Sequence, residues 1–238
     1  MTNDKIKPFS DVRVRRAISL AIDRKALLAA VYQGFGKPAL YNLTSAVPQP
    51  KPPAPTYTGT YSPQRAKALL AQAGYPHGLT ITLATNIDTG PGPQATSLAA
   101  LIQSELAKVG VTVKIETVAS SADYTAGLFG GKYQAAFYAS KPNVVDAAYA
   151  IKLVWDSRGL DVSHYANATL NHLVDQMFAL QPGPARTRAI SAAASLLNSQ
   201  MPSIPLVETV VPWVIRSSIV GAAPNPLGGF YLQDLKAR

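Results

Sequence analysis

The sequence contains no cysteine in 238 residues. That absence excludes disulfides, thiolate zinc sites and cysteine nucleophiles, although it does not decide the compartment, because exported proteins can also lack cysteine. Histidine is scarce as well, and the three histidines, at positions 77, 164 and 172, match no metal-binding spacing. The sequence therefore predicts no metal site and no cofactor.

Long apolar runs are also missing. The longest uncharged stretch, residues 189–207, contains serines, amides and two prolines, and it cannot span a bilayer. The opening residues MTNDKIKPF lack the apolar segment of a signal peptide, so none is expected in this chain. There is no GxSxG elbow and no phosphate-binding loop, and the sequence is not predicted to be an enzyme.

Charged residues make up only 15% of the chain, with a net charge of +9, while 47% of residues are hydrophobic. This composition indicates an ordered globular protein. Basic residues are dense only at Arg13, Arg15 and Arg16, with Arg24 and Lys25 further on. Neither stacking aromatics nor a known motif accompanies them, so no nucleic-acid partner is predicted.

The segment that holds these basic residues has the periodicity of an amphipathic helix. Apolar side chains fall on one face at positions 14, 17, 18, 21, 22 and 28, and the basic residues frame that stripe. Ser10 or Asp11 can cap its start, Asp23 can begin a second helical stretch, and Gly34 ends it. A buried brace is therefore favoured over a basic binding surface.

The remaining pattern alternates helices and strands. Residues 39–62 are rich in proline and predict an extended connection. A helix from Pro63, a strand LTITLATN, a helix and a strand VTVKIETV then predict a parallel strand-helix-strand unit. A third strand, YQAAFYAS, late strand material in SIPLVETVVPWVIR, and helices at 145–155, 168–180 and 184–200 complete an α/β pattern.

In this order, the segments RVRRAISLAID, AKALLAQAGYPHGL, VTVKIETV, YQAAFYAS and MPSIPLVETV resemble the C-terminal lobe of the family 5 solute-binding proteins. These are extracytoplasmic receptors of ABC importers for peptides, opines and nickel. The resemblance implies one lobe of a type II periplasmic-binding-protein-like fold, a mixed sheet flanked by helices, as a single domain over 1–238. It also implies that the first helix is structural, with arginines that face solvent or neighbouring loops.

Full members of that family carry a preceding N-terminal lobe with an export signal, and two lobes close on the ligand. The resemblance therefore implies a truncated receptor that lacks this lobe, with a tail at 217–238 that would return toward it. The full-length form would be periplasmic or otherwise extracytoplasmic. The expected partners are a peptide or similar small polar solute, the missing N-terminal lobe and an importer permease that meets the full-length receptor.

Ligands of α/β folds gather where the carboxyl ends of strands lead into loops, and the loop after YQAAFYAS is the candidate. In peptide-binding relatives this loop carries a tryptophan and then an aspartate that holds the ligand's α-amine. Here Ser140 and Asn143 occupy those positions, so Asp146 can substitute as the anchor, while Lys141 suits an anionic group. In the alternative interpretation the loop is a polar connection, and Asp146 or Asn143 caps the next helix.

Aromatic side chains cluster around the same loop. We expect Phe137 and Trp155 to lie in the core, and Tyr138 and Tyr149 to line the cleft. The favoured function is a lobe that binds a ligand and performs no chemistry. Two alternatives stay open: a structural or interaction module without ligand binding, and a hydrolase, which no catalytic pattern supports.

Overall fold

The computed structural model describes residues 1–50, 54–139, 144–210, 214–223 and 232–237. Its helices are α1 (Val12–Leu20), α2 (Arg24–Tyr32), α3 (Pro63–Gln72), α4 (Ala95–Ala107), α5 (Ser121–Phe129), α6 (Ala147–Trp155), α7 (Ala168–Ala179) and α8 (Pro184–Gln200). Its strands are β1 (Lys37–Pro38), β2 (Leu79–Thr85), β3 (Val111–Thr117), β4 (Ala135–Ala136), β5 (Val207–Glu208), β6 (Ile219–Val220) and β7 (Lys236–Ala237). No helix in these ranges combines the length and the apolar character needed to cross a membrane.

The central sheet has the order β3-β2-β4, and both of its pairings are parallel. Leu79 pairs with Val111 and Thr85 with Thr117, so the two longer strands run in step over their full length. Thr2 adds an antiparallel bridge beside Ala135. The predicted parallel strand-helix-strand unit is confirmed, and the sheet is mixed.

Helices cover both faces of this sheet. Ile81, Leu83 and Val113 pack in a hydrophobic cluster with α1, α3 and α4, while Ala84 and Ala136 pack in a second cluster with α5 to α8. The alternation follows from the two-residue period of a strand, which sends successive side chains to opposite faces. The α/β fold class is confirmed. Ile115 alternates in phase with buried Val111 and Val113 on β3, yet it is 38% exposed.

Glycine is required where β2 and β3 begin side by side. Gly78 has φ of +91°, and a Cβ built on it would lie 2.2 Å from the carbonyl oxygen of Gly110. A residue with a side chain would therefore be strained at Gly78 and would also clash with the neighbouring backbone. The close approach fixes the shared register of the two strands.

The opening segment forms two helices. The carboxylate of Asp11 accepts from the backbone N–H of Arg13 and caps α1, and that of Asp23 accepts from Lys25 and Ala26 and caps α2. The predicted start at Asp23 is confirmed. The chain leaves α2 through left-handed Gln33, with Gly34 following it.

The arginines of these helices need a correction. Arg13 faces solvent, but Arg15 and Arg24 are each only 4% exposed. They contact a neighbouring segment, as expected, yet they do so from the interior. Arg15 donates to the carbonyl oxygens of Phe9 (2.6 Å), Gln200 (3.1 and 2.7 Å) and Met201 (3.0 Å).

Arg24 makes a similar buried contact. Its guanidinium donates to the carbonyl oxygens of Ser19 (2.9 Å) and Pro205 (2.8 Å), while Arg16 donates to that of Ser199 (2.9 and 2.7 Å). We call these three side chains and their acceptors in 199–205 the arginine clasp. It joins the first helices to the end of α8 and the chain that follows it.

The proline-rich connection contains no helix or strand in its described parts, residues 39–50 and 54–62. The two residues before it form β1, which pairs antiparallel to β5. Glu208 of β5 accepts from the backbone N–H of Ser45 at 3.2 Å and lies 3.7 Å from the ammonium group of Lys37. These contacts hold the start of the connection against the late part of the chain.

Candidate ligand-binding edge

The three parallel strands of the central sheet end at one side, and the chain that leaves them forms a continuous rim. We call residues 86–92, 118–121 and 137–139 the carboxyl edge. Asn86 organises it from the interior, with 1% of its surface exposed. Its Nδ2 donates to the carbonyl oxygen of Val118 at 2.7 Å, and its Oδ1 accepts from the backbone N–H of Asp88 at 2.9 Å. One amide side chain thus locks the loops after β2 and β3 together.

The groups above Asn86 face solvent. Asp88 is exposed, and the Ser121 hydroxyl lies 3.4 Å both from its Oδ2 and from Asn86 Oδ1. Ile87, between Asn86 and Asp88, is 52% exposed. The edge therefore presents a carboxylate, hydroxyls and an apolar side chain on a rigid backbone. Asn86 and Asp88 were not predicted as site residues, although an amide directly after an alternating strand was a signal for them.

Helix α5 fixes the end of β4. Tyr124 is buried, and its hydroxyl donates to the carbonyl oxygen of Phe137 at 2.7 Å. Burial raises the pKa of Tyr124, so the hydroxyl remains a donor. Gly90 packs directly on Phe137 from the other loop, and a Cβ there would lie 3.4 Å from the Phe137 side chain. Because Phe137 is held on both sides, the backbone position from which Tyr138 projects is also defined.

Of the six residues predicted to contact ligand, Ser140, Lys141 and Asn143 lie outside the described residues. Tyr138 is half-buried against the cluster around α6 to α8, and burial raises its pKa. Tyr149 lies in the first turn of α6 and is 38% exposed. Phe137 and Trp155 lie in the core, as predicted.

Asp146 is the N-cap of α6 and has a second partner. Its Oδ1 accepts from the backbone N–H of Tyr149 at 2.9 Å, and the Nη2 of Arg186 donates to both carboxylate oxygens, at 3.1 and 2.9 Å. Burial disfavours its charge, but the Tyr149 amide and the Arg186 guanidinium outweigh burial and lower the pKa of Asp146. Asp146 is thus an ionised cap whose charge is already balanced, in agreement with the capping interpretation.

Arg186 was not singled out from the sequence. It projects from the first turn of α8, and its Nε donates to the carbonyl oxygen of Met177 in α7 at 3.0 Å. One guanidinium therefore ties together the ends of α6, α7 and α8. Within the described part of the chain, no three histidine or acidic side chains come together in a way that could hold a metal ion.

Comparison with known proteins shows the lineage of this fold. Residues 1–161 match the model of the bacterial extracellular solute-binding proteins, family 5 Middle. This chain belongs to family 5. Among curated relatives, the family 5 chain is 27% identical over 246 residues to the dipeptide-binding protein of Escherichia coli. That alignment covers 98% of this chain and 44% of the relative. The chain is 28% identical over 240 residues to the glutathione-binding protein GsiB of Escherichia coli, covering 96% and 45%.

Solved structures agree with this assignment. The structure of HbpA2 from Haemophilus parasuis has a TM-score of 0.87 at 25% identity and covers 100% of this family 5 chain and 47% of that protein. DppA from Helicobacter pylori, in complex with the peptide STSA, has a TM-score of 0.84 at 23% identity, covering 99% and 46%. The family 5 chain thus spans about half the length of the curated relatives that it matches.

Proposed function

We propose that this chain is the ligand-binding lobe of an ABC importer receptor, and that it takes a peptide or a similar small polar solute at the carboxyl edge. The observation that carries the proposal is the edge itself, where Asn86 holds Asp88, Ile87 and Ser121 in fixed positions at the ends of three parallel strands. Open α/β sheets bind ligands in the crevice outside the carboxyl ends of their strands, at the point where the strand order reverses.

The relatives support the choice of ligand class. Their names describe binding of dipeptides, of glutathione and of heme. A peptide combines backbone amides, charged ends and apolar side chains. The carboxyl edge supplies hydroxyl and carboxylate partners for the first two and Ile87 for the third.

An ammonium group on the ligand is best bound by the carboxylate of Asp88. Asp146 already balances Arg186 and caps α6, so it has little capacity left for an incoming ammonium group. Asp88 is exposed, and among the described residues it forms no ion pair. We therefore add Asp88 to the proposed contacts Tyr138, Tyr149, Ser140, Lys141 and Asn143, and assign Asp146 a supporting role as the cap of α6.

The proposal involves no reaction. The relatives are binding proteins, and binding followed by handover to a membrane permease outside the cytoplasm is the activity that we propose for the whole receptor. A second lobe would cover the carboxyl edge and remove the bound ligand from water. Since this chain supplies one wall, we expect weak affinity from it alone.

The proposal is tested by NMR titration of the labelled 238-residue chain with trialanine, N-acetyl-trialanine and glutathione at millimolar concentration. We expect saturable shifts of backbone amides in 86–92 and 118–121 for at least one of these ligands. Asp88→Asn should weaken trialanine more than its acetylated form, while Asp175→Asn, which removes an exposed charge on α7, should change neither.

The outcome that contradicts the proposal is the absence of saturable shifts at the carboxyl edge with every ligand. A chain that instead forms a dimer, with its carboxyl-edge amides broadened in the absence of ligand, would favour the interaction module. If the parent chain and Asp88→Asn show equal shifts, the binding function stands but Asp88 does not contribute to it.

A further inference from the structure

A cavity of about 60 Å³ lies against the first hydrophobic cluster, between the central sheet and helices α1 and α4, and it is open on one side. Its lining includes the side chains of Ile81 and Leu83 in β2, Val113 in β3, and Ile102 and Leu106 in α4. All five are buried. Half-buried Met1, Ile204 and Leu206 form its outer wall. The cavity lies beneath one face of the sheet, and Phe137 is the one lining residue that it shares with the carboxyl edge.

The lining is almost free of polar partners. Thr2 is the one polar residue among its lining side chains, and its hydroxyl is already engaged, 3.2 Å from Asp4 Oδ1 and 3.3 Å from the carbonyl oxygen of Pro202. The backbone N–H of Ala136 donates to the carbonyl oxygen of Met1 at 3.0 Å. Water that enters from the open side finds few polar partners on this lining, so an apolar guest can displace it at little cost.

A neighbouring cavity shows the contrast. It measures about 10 Å³, which is the space of a single water, and polar Asn3 and His164 are among its lining residues. The larger cavity has room for more than one water molecule but few polar groups that could orient it. Its lining instead offers dispersion contacts from aliphatic carbons on several sides.

We propose that the 60 Å³ cavity is a binding site for small non-polar molecules, of which xenon is the probe. Apolar cavities of about 150 Å³ stay dry and bind benzene or xenon. Because this cavity is less than half that size, it selects xenon and small hydrocarbons over aromatic rings. The guest gains contacts that the lining lacks, and no polar group has to be desolvated to admit it.

The test is methyl NMR of the 238-residue chain under increasing xenon pressure. We expect saturable shifts of the methyl groups of Ile81, Ile102, Leu106 and Val113, with methyl groups outside the cavity unaffected. Benzene at its aqueous saturation should leave the same methyl groups unchanged. This comparison needs no variant, so it holds even where a substitution disturbs folding.

Two substitutions at the cavity sharpen the test. Ala135→Val fills space at the lining and should remove most of the xenon shift, whereas the control Ala122→Val, on the exposed face of α5, should retain it. Leu106→Ala enlarges the cavity and should admit benzene. Shifts that do not saturate, that spread over the whole chain, or that persist in Ala135→Val would overturn the proposal.

Discussion

Replacing Arg15 by Met tests whether the arginine clasp stabilises the fold from within. Methionine keeps much of the side-chain volume but has no donor, so three buried or half-buried carbonyl oxygens, of Phe9, Gln200 and Met201, lose their partner. An unsatisfied buried group costs about 1–3 kcal/mol. Removing a buried cation offsets part of that loss. Because three acceptors are affected and part of the cost is offset, we expect the free energy of unfolding to fall by about 3 kcal/mol, the lower end of the summed cost.

The assay is thermal and urea unfolding at about pH 6. The carboxyl group of Asp4 lies 3.3 Å from Nη1 of Arg15, and burial raises its pKa to about 8, so it is protonated in the folded chain at that pH. For a domain of this length, the expected loss lowers the melting temperature by roughly 6–12 °C. Arg13→Met is the matched control, since Arg13 lies on the same helix and is 46% exposed. Equal melting temperatures for the two variants would refute the role of the clasp.

Three further predictions concern single sites. Asp4→Asn should remove a pH dependence of the folding stability. Burial raises the pKa of Asp4 from 3.8 to about 8. In urea titrations, the stability of the wild-type chain should therefore fall relative to that of the variant as the pH rises through this interval. Arg186→Met should raise the pKa of Asp146, measured by carboxyl NMR; an unchanged value would exclude their ion pair. Gly78→Ala should destabilise the chain by about 2 kcal/mol or more in urea unfolding, and by more than Gly74→Ala, which has a similar positive φ without a nearby backbone atom.

Local patterns were sufficient to predict much of the fold. The spacing of apolar residues predicted α6 to α8 at 145–155, 168–180 and 184–200, and these helices occupy Ala147–Trp155, Ala168–Ala179 and Pro184–Gln200. The strict alternation in β2 and β3 predicted two parallel strands with a helix between them. In each case the signal lies within one element, because period and capping are properties of neighbouring residues.

Properties that depend on distant partners could not be predicted in this way. Arg15 and Arg24 looked like solvent-facing charges because their acceptors, in 199–205, lie far along the chain. Periodicity gives the face of a helix but does not show which carbonyl oxygens meet it. The same holds for Asp146, whose role at the candidate site changes once Arg186 is beside it.

The arginine clasp also determines when the chain can finish folding. Arg15 and Gln200 are separated by 185 positions, and Arg24 and Pro205 by 181. During synthesis the first two helices emerge long before residues 199–205, so Arg15 and Arg24 lack those carbonyl partners until the end of α8 has been made. The apolar stripe of α1 can pack with α3 and α4 earlier, but we expect the clasp to form late, because contacts so distant in sequence form slowly.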